Sequence, residues 1–247
     1  MIKLYGLKMS NYYSLTKALL IEKGLEFEEV KAPPTQKEDN LARSPMGKMP
    51  SIEVGGQYMS ESLAIALYLE KLSPENPMFP ADPFQAGKVM ELICHIKLDT
   101  ELVARRCIAE AFFGGKVSDE TKESTDKDLQ RGMQAVDQLM VCAPYAAGDT
   151  FTLADLYTFY SFGFISGTAQ KMFDKDILAD YPKIQELMSK LAERPAMQRV
   201  AAVRLADVCG LCEVLPLSVM CGRCSPYQST KASSSRRKSS RRNGIST

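Results

Sequence analysis

The sequence predicts a small α/β domain followed by an all-helical domain, and three observations carry that prediction. Residues 2 to 72 alternate between the two-residue period of strands and the 3.6-residue period of helices. Prolines 74, 77, 80 and 83 then crowd into ten residues, a density that no helix interior accepts. From Phe84 to about Asp207 the pattern is helical, with no convincing strand.

Taken in order, Ile2-Lys3-Leu4-Tyr5 reads as a strand and Ser14 to Lys23 as a helix, stopped by Gly24 at a favoured C-terminal cap position. Phe27-Glu28-Glu29-Val30 is a second strand, and the polar stretch Lys31 to Ser44 is irregular with one short helix. Ser51-Ile52-Glu53-Val54 and Gln57-Tyr58-Met59 form a hairpin around the tight-turn pair Gly55-Gly56. A helix follows from about Glu61 to Lys71. The order β-α-β-(α)-β-β-α describes a mixed sheet over residues 1–73, with 74–83 a stiff linker.

The second domain, 84–207, reads as helices over 84–112, 119–141, 153–168, 183–193 and 196–206. Thr152-Leu153-Ala154-Asp155 has the spacing of a capping box, ahead of the apolar and aromatic run of a central buried helix. Pro195 marks the break between the last two helices.

Composition narrows the function. The chain has 247 residues, 45% hydrophobic and 25% charged, ordinary globular values. Residues 208–247 hold seven Lys/Arg and one acid, leaving 24 Lys/Arg against 29 Asp/Glu in the body. An acidic body argues against a globular nucleic-acid-binding face. No apolar run is long enough to span a bilayer and the N-terminus has no signal-peptide core, so the expected location is cytoplasmic. His95 is the only histidine, which removes His-based triads and multi-His metal sites unless it serves alone; a structural role in its helix is expected. Cys94, Cys107 and Cys142 lie within apolar helical patterns and read as buried free thiols.

The stretch "GKMPSIEVGGQYMSES" carries the chemistry. Pro50 cannot donate to a ladder, so Met49 just before it keeps backbone groups free for a peptide-like ligand to pair with. The helix starting at Glu61 has unpaired N–H groups and a partial positive end, suited to a carboxylate. Ser62 adds a hydroxyl and Glu61 an anion for an ammonium, so the pair fits the free end of an amino acid. A helix capped by Ser60, with Glu61 merely favouring the dipole, fits the same spacing.

"LYG…S…EKGLEFEEV", "SPMGKMPSIEVGGQYMSESLAIALYLE", "GDTFTLADLYTF" and "YPKIQELMSKLAERPAMQRV" resemble the cytosolic glutathione S-transferase superfamily, in order and spacing over residues 1 to 205. The resemblance implies a thioredoxin-like N-terminal domain and an all-α C-terminal helical bundle. It implies that Pro50 is cis, that Met49 pairs with the cysteinyl backbone of glutathione, and that Glu61 and Ser62 hold its γ-glutamyl end. Lys48 is similar to a lysine that meets the glycine carboxylate in some classes, and Lys37 is a weaker candidate. Glutathione would be the co-substrate, a small electrophile or peroxide the second substrate, and a homodimer the assembly; no metal is implied.

Family members activate the thiol from the start of the first helix, where this chain reads "MSNYYSLTK". No cysteine is present there. Ser10 lies fourteen residues before Gly24, the spacing of Ser-type members; Tyr12 and Asn11 are the alternatives, and Ser10 also suits a plain helix cap. A hydroxyl is enough. Lowering a thiol pKa of about 8.5 by two units takes about 2.7 kcal/mol. One hydrogen bond to a charged acceptor supplies about 1.5–3 kcal/mol and a helix N-terminus about 0.3–1 kcal/mol more. The electrophile pocket is expected near Met9, Tyr12 and the 84–113 helix, with Phe112 and Phe113 packed in the core. A non-catalytic scaffold of the same family, using its basic tail to interact, is the competing reading.

Beyond Asp207 the resemblance ends. Cys209, Cys212, Cys221 and Cys224 form a C-x2-C-x8-C-x2-C array whose ligand type suits zinc, although the spacer is short; a fortuitous extension is the competing reading. "KASSSRRKSSRRNGIST" has the composition of a disordered tail and a loose nucleic-acid contact or nuclear address.

Overall fold

The computed structural model describes residues 1–202. Strands β1 (Ile2–Gly6), β2 (Phe27–Lys31), β3 (Ser51–Val54) and β4 (Gln57–Ser60) form one sheet in the order β2-β1-β3-β4. β1 and β2 are parallel, joined through helix α1 (Asn11–Glu22), whereas β3 and β4 are antiparallel to their neighbours. A short α2 (Glu38–Arg43) precedes β3, and α3 (Ser62–Leu72) follows β4. Ile2 and Leu4 of β1 alternate inward with Ile52 of β3, against Leu15, Leu19 and Leu20 of α1 and Ile65 and Leu69 of α3, all buried. This is the thioredoxin-like mixed sheet that the resemblance implies.

The helical half begins at α4 (Pro83–Cys94), with the Asp82 carboxylate capping Gln85 N–H at 2.8 Å. The expected single helix over 84–112 is not uniform. It passes through a π-helical segment, His95–Glu101, then α5 (Leu102–Ala104), a 3-10 turn (Arg105–Cys107) and α6 (Ile108–Phe113). Helices α7 (Asp119–Leu139), α8 (Leu153–Phe173) and α9 (Pro182–Ala192) follow, with residues 195–202 again helical. α8 is buried along most of its length and runs five residues beyond the expected end. Asp155 holds its start: the carboxylate accepts from the Thr152 N–H at 2.8 Å, the Thr152 hydroxyl at 3.2 Å and the Ala146 N–H at 2.8 Å.

Two contacts tie the end of α1 to the linker and to the helical half. Lys23, whose side chain is fully buried, donates to Glu70 and to the carbonyls of Ser73 and Asn76, the last two at 2.8 Å. Arg194 makes a two-pronged pair with Glu22 at 2.9 and 2.8 Å while its guanidinium lies 3.7 Å from the Phe151 ring centroid. Among the described residues no helix is long and apolar enough to cross a membrane. The four cysteines from 209 to 224 and the basic tail lie outside the described residues.

Candidate functional site

One row of the sheet sets the site. Tyr5 on β1 faces Ser51 on β3, and Ser51 faces Ser60 on β4. That register brings three chain segments to the same end of the sheet: the exit of β1 leading to Ser10, the Met49-Pro50 entry into β3, and Glu61-Ser62 after β4. Gly6 closes the first of these, since a Cβ there would lie 2.5 Å from the Tyr13 ring and 3.4 Å from Met49 Cβ. The Met49–Pro50 peptide is cis, and Met49 precedes the first ladder pair of β3.

Ser10 is the N-cap of α1, which therefore starts three residues earlier than the sequence reading placed it. Its hydroxyl oxygen accepts from the Tyr13 N–H at 3.4 Å. A hydroxyl has one proton besides its lone pairs, so capping and donation outward are compatible. The first turn of α1 contains no acidic side chain to oppose an anion.

Glu61, not Ser60, is the N-cap of α3; its backbone sits at φ 70° and its side chain makes no capping bond. The carboxylate points outward and pairs with Lys97 Nζ at 3.6 Å. Ser62 is buried, with Oγ 2.8 Å from the Tyr157 hydroxyl on α8. Burial pushes the Tyr157 phenol well above its ordinary pKa, so it stays protonated and able to donate to Ser62. Either hydroxyl can be the donor of that bond.

Asn11 and Tyr12 face the helical half. Asn11 Nδ2 donates to the Glu101 carboxylate at 3.0 Å, and its Oδ1 accepts from Arg105 Nη2 at 2.8 Å. Burial first, and the nearby Glu101 carboxylate second, drive the Tyr12 phenol far above its usual range. Its ring is edge-to-face with Tyr157 at 6.4 Å, with the Arg105 guanidinium at 5.0 Å. Asn11 is thus held by hydrogen bonds, and Tyr12 by ring contacts and a hydrogen bond to Glu101. Glu101 itself is fully buried, yet it also accepts from Arg105 Nε at 2.8 Å and from Ser161 at 2.5 Å. Sequence reasoning missed Lys97, Glu101, Arg105 and Tyr157. In "KLDTELVARR" they look like the solvated charges of a surface helix, and only the unbroken apolar context of Tyr157 hinted at burial.

Lys48 and Lys37 are exposed, Lys48 next to Met49 and Lys37 at the N-cap of α2. Phe112 and Phe113 are not core residues as expected: they are 39% and 68% exposed. They end a short helix before Gly114, and Phe112 stacks on Phe164 at 5.8 Å. Arg105 lies 4.6 Å from the other side of that cluster, over Phe164, which gives an aromatic wall leading away from Tyr12. Of the three body cysteines only Cys107 is fully buried; Cys94 and Cys142 are partly accessible. His95 pairs with Asp99 at 2.7 Å.

Two models of one protein family match in succession: "Glutathione S-transferase, N-terminal domain" over residues 4–77 and "Glutathione S-transferase, C-terminal domain" over 105–202. A glutathione S-transferase of Pseudomonas putida is 39% identical over 215 residues, covering 87% of this chain and 98% of that protein. Glutathione S-transferase 1 of Triticum aestivum is 28% identical, over 81% and 93% of the two chains. Among solved structures, glutathione transferase F7 from Populus trichocarpa superposes with a TM-score of 0.69 at 21% identity, over 82% and 98%. A glutathione transferase homologue from Sulfitobacter with bound glutathione gives 0.64 at 23%, over 84% and 98%. With both domains matched in order and a relative aligned along almost its full length, the chain belongs to the glutathione S-transferase family.

Proposed function

We propose that this protein is a glutathione transferase in which the Ser10 hydroxyl stabilises the glutathione thiolate for attack on a small electrophile. The observation that carries the reading is the sheet row Tyr5–Ser51–Ser60, which gathers Ser10 at the start of α1, the Met49 backbone ahead of the first β3 ladder pair and the Glu61-Ser62 pair at one end of the sheet. The tripeptide lies along Met49 with its γ-glutamyl end at Glu61 and Ser62, and Lys48 is within the same segment to meet the glycine carboxylate. Ser10 keeps its proton and donates it to sulfur while the first-turn N–H groups of α1 add a positive end. The thiolate forms a bond to the electrophilic carbon, and the displaced electron pair leaves with the leaving group or is protonated. With a peroxide the thiolate attacks one oxygen, the O–O bond breaks and the other oxygen leaves as the alcohol after protonation; a second glutathione then displaces water from the sulfenic acid to give the disulfide.

The Phe112, Phe113 and Phe164 surface supports a pocket for an apolar electrophile next to this site. Exposed Leu67 on α3 and Phe84 and Met90 on α4 support a homodimer.

Conjugation rates with a chromogenic aromatic electrophile, alongside calorimetry with glutathione, test the assignment. Ser10→Ala removes a charge-assisted hydrogen bond of about 1.5–3 kcal/mol, so kcat falls roughly 10- to 150-fold with little change in glutathione affinity. Tyr12→Phe changes kcat only slightly. If Tyr12→Phe is the damaging variant, the Ser10 assignment is wrong; a wild type that binds glutathione but turns over no electrophile points to the scaffold reading.

A further inference from the structure

The γ-glutamyl end of glutathione has two charges on one carbon, an ammonium and a carboxylate. In the N-terminal half a single formal charge, Glu61, stands at that position, and the carboxylate is left to Ser62 and the start of α3. The helical half supplies the missing cation. Lys97, on the π segment His95–Glu101, places Nζ 3.6 Å from Glu61 Oε2. Its side chain is only 22% exposed against 61% for Glu61, so the lysine is held by its surroundings while the carboxylate reaches out to it. Nζ also lies 5.9 Å from the centre of the Tyr12 ring, which fixes the head group between α1 and α3.

We propose that Lys97 is a glutathione-binding residue that takes the γ-glutamyl α-carboxylate while Glu61 takes the ammonium. This rests on the reading of the cleft as a glutathione site. The Glu61–Lys97 pair is a small dipole, and the zwitterionic end of the tripeptide is its complement. Docking the two head to tail gives four charges of alternating sign, with no net charge added to the cleft. In the free protein each side chain neutralises the other, so neither is left uncompensated. Specificity follows as well: a ligand lacking either charge leaves one member of the pair facing its neighbour alone, without gain from entering. Glu61 sits at φ 70° at the start of α3, and its carboxylate meets Lys97 on the π segment.

Calorimetric titration of the full chain with two probes tests this: glutathione, and γ-aminobutyryl-cysteinyl-glycine, which lacks only the γ-glutamyl α-carboxylate. Lys97→Gln should weaken glutathione binding roughly 10- to 100-fold, the range for one charge-assisted contact. Against the decarboxylated peptide, Lys97→Gln and wild type should bind within about twofold, because the partner of Lys97 is gone from the ligand. Lys97→Met, which keeps the apolar stem beside Tyr12, should give the same pattern, and Lys97→Arg should retain most of the affinity. Equal losses for both peptides would mean that Lys97 only braces Glu61, and would overturn the proposal; so would unchanged glutathione binding. A wild type that takes up neither peptide would defeat the glutathione site itself, a result distinct from either.

Discussion

Replacing Gly132 with alanine adds one methyl group at the point where α7 meets the π segment that carries Lys97 and Glu101. A Cβ there would lie 2.1 Å from the Asp99 carbonyl oxygen, 2.9 Å from its carbon and 3.1 Å from Thr100 Cγ2. Carbon atoms pack comfortably at about 3.5–4.0 Å, so the two backbones must part by about an ångström. Overpacking of this kind costs about 1–3 kcal/mol, offset by about 1 kcal/mol from the better helix propensity of alanine. The net loss is roughly 0–2 kcal/mol. For a chain of this size that lowers the melting temperature by up to about 8 °C. The same displacement moves Lys97 and Glu101 relative to α1 and α3, so KM for glutathione should rise more than kcat falls. Thermal circular dichroism and initial rates measure both effects. Gly163→Ala is the control: its Cβ meets nothing within 4 Å, and the change should stabilise the chain by about 0.4–1 kcal/mol. A Gly132→Ala protein as stable as the Gly163→Ala control, with wild-type KM, would refute the close approach of α7 and its effect on the site.

Asp155→Ala takes the acceptor from the buried N–H groups of Ala146 and Thr152. At about 1–3 kcal/mol for each orphaned group, the urea midpoint should fall by an amount equivalent to roughly 2–6 kcal/mol, and Asp155→Asn should recover part of it. Glu29 gives an acid limb. Burial opposes its charge, but donation from Lys17 and Tyr13, both at 2.6 Å, outweighs it and holds the carboxyl below its ordinary 4.5. A depressed carboxyl contributes its stability above the unfolded value and loses it as pH falls through the folded one. Wild type should therefore lose stability below about pH 4.3, while Glu29→Gln is weaker at pH 7 but flatter through that window in chemical denaturation.

Short-range signals account for what was legible in the sequence. The Gly55-Gly56 turn, Gly24 after α1, the proline run and the Thr152–Asp155 pair each act within a few residues, and strands, helices and the α8 start fall where these signals put them. The Met49-Pro50 entry and the Glu61-Ser62 exit were legible for the same reason: a two-stranded hairpin fixes their separation. What escaped was long-range. Asn11 meets Glu101 and Arg105, and Ser62 meets Tyr157, across some ninety residues. No local pattern distinguishes a fully buried Glu101 from a surface acid four residues before an arginine. The π turn was hidden too, since no residue type announces a change from i→i+4 to i→i+5 bonding. Its one trace is a glycine in the middle of α7, unexplained until its Asp99 neighbour is seen.

The division of labour between the halves follows from what each can offer. One end of the sheet and two helix starts present backbone donors and two small hydroxyls, Ser10 and Ser62, which suit a peptide but hold little charge. Charge has to be built where it can be desolvated and still satisfied. Glu101 meets that condition with donors from Asn11, Arg105 and Ser161 around a fully buried carboxylate. Because Asn11 is the first residue of α1, the network that satisfies Glu101 also fixes the turn on which Ser10 sits. The orientation of the turn at Ser10 is thereby a property of both halves, although Ser10 itself lies in one.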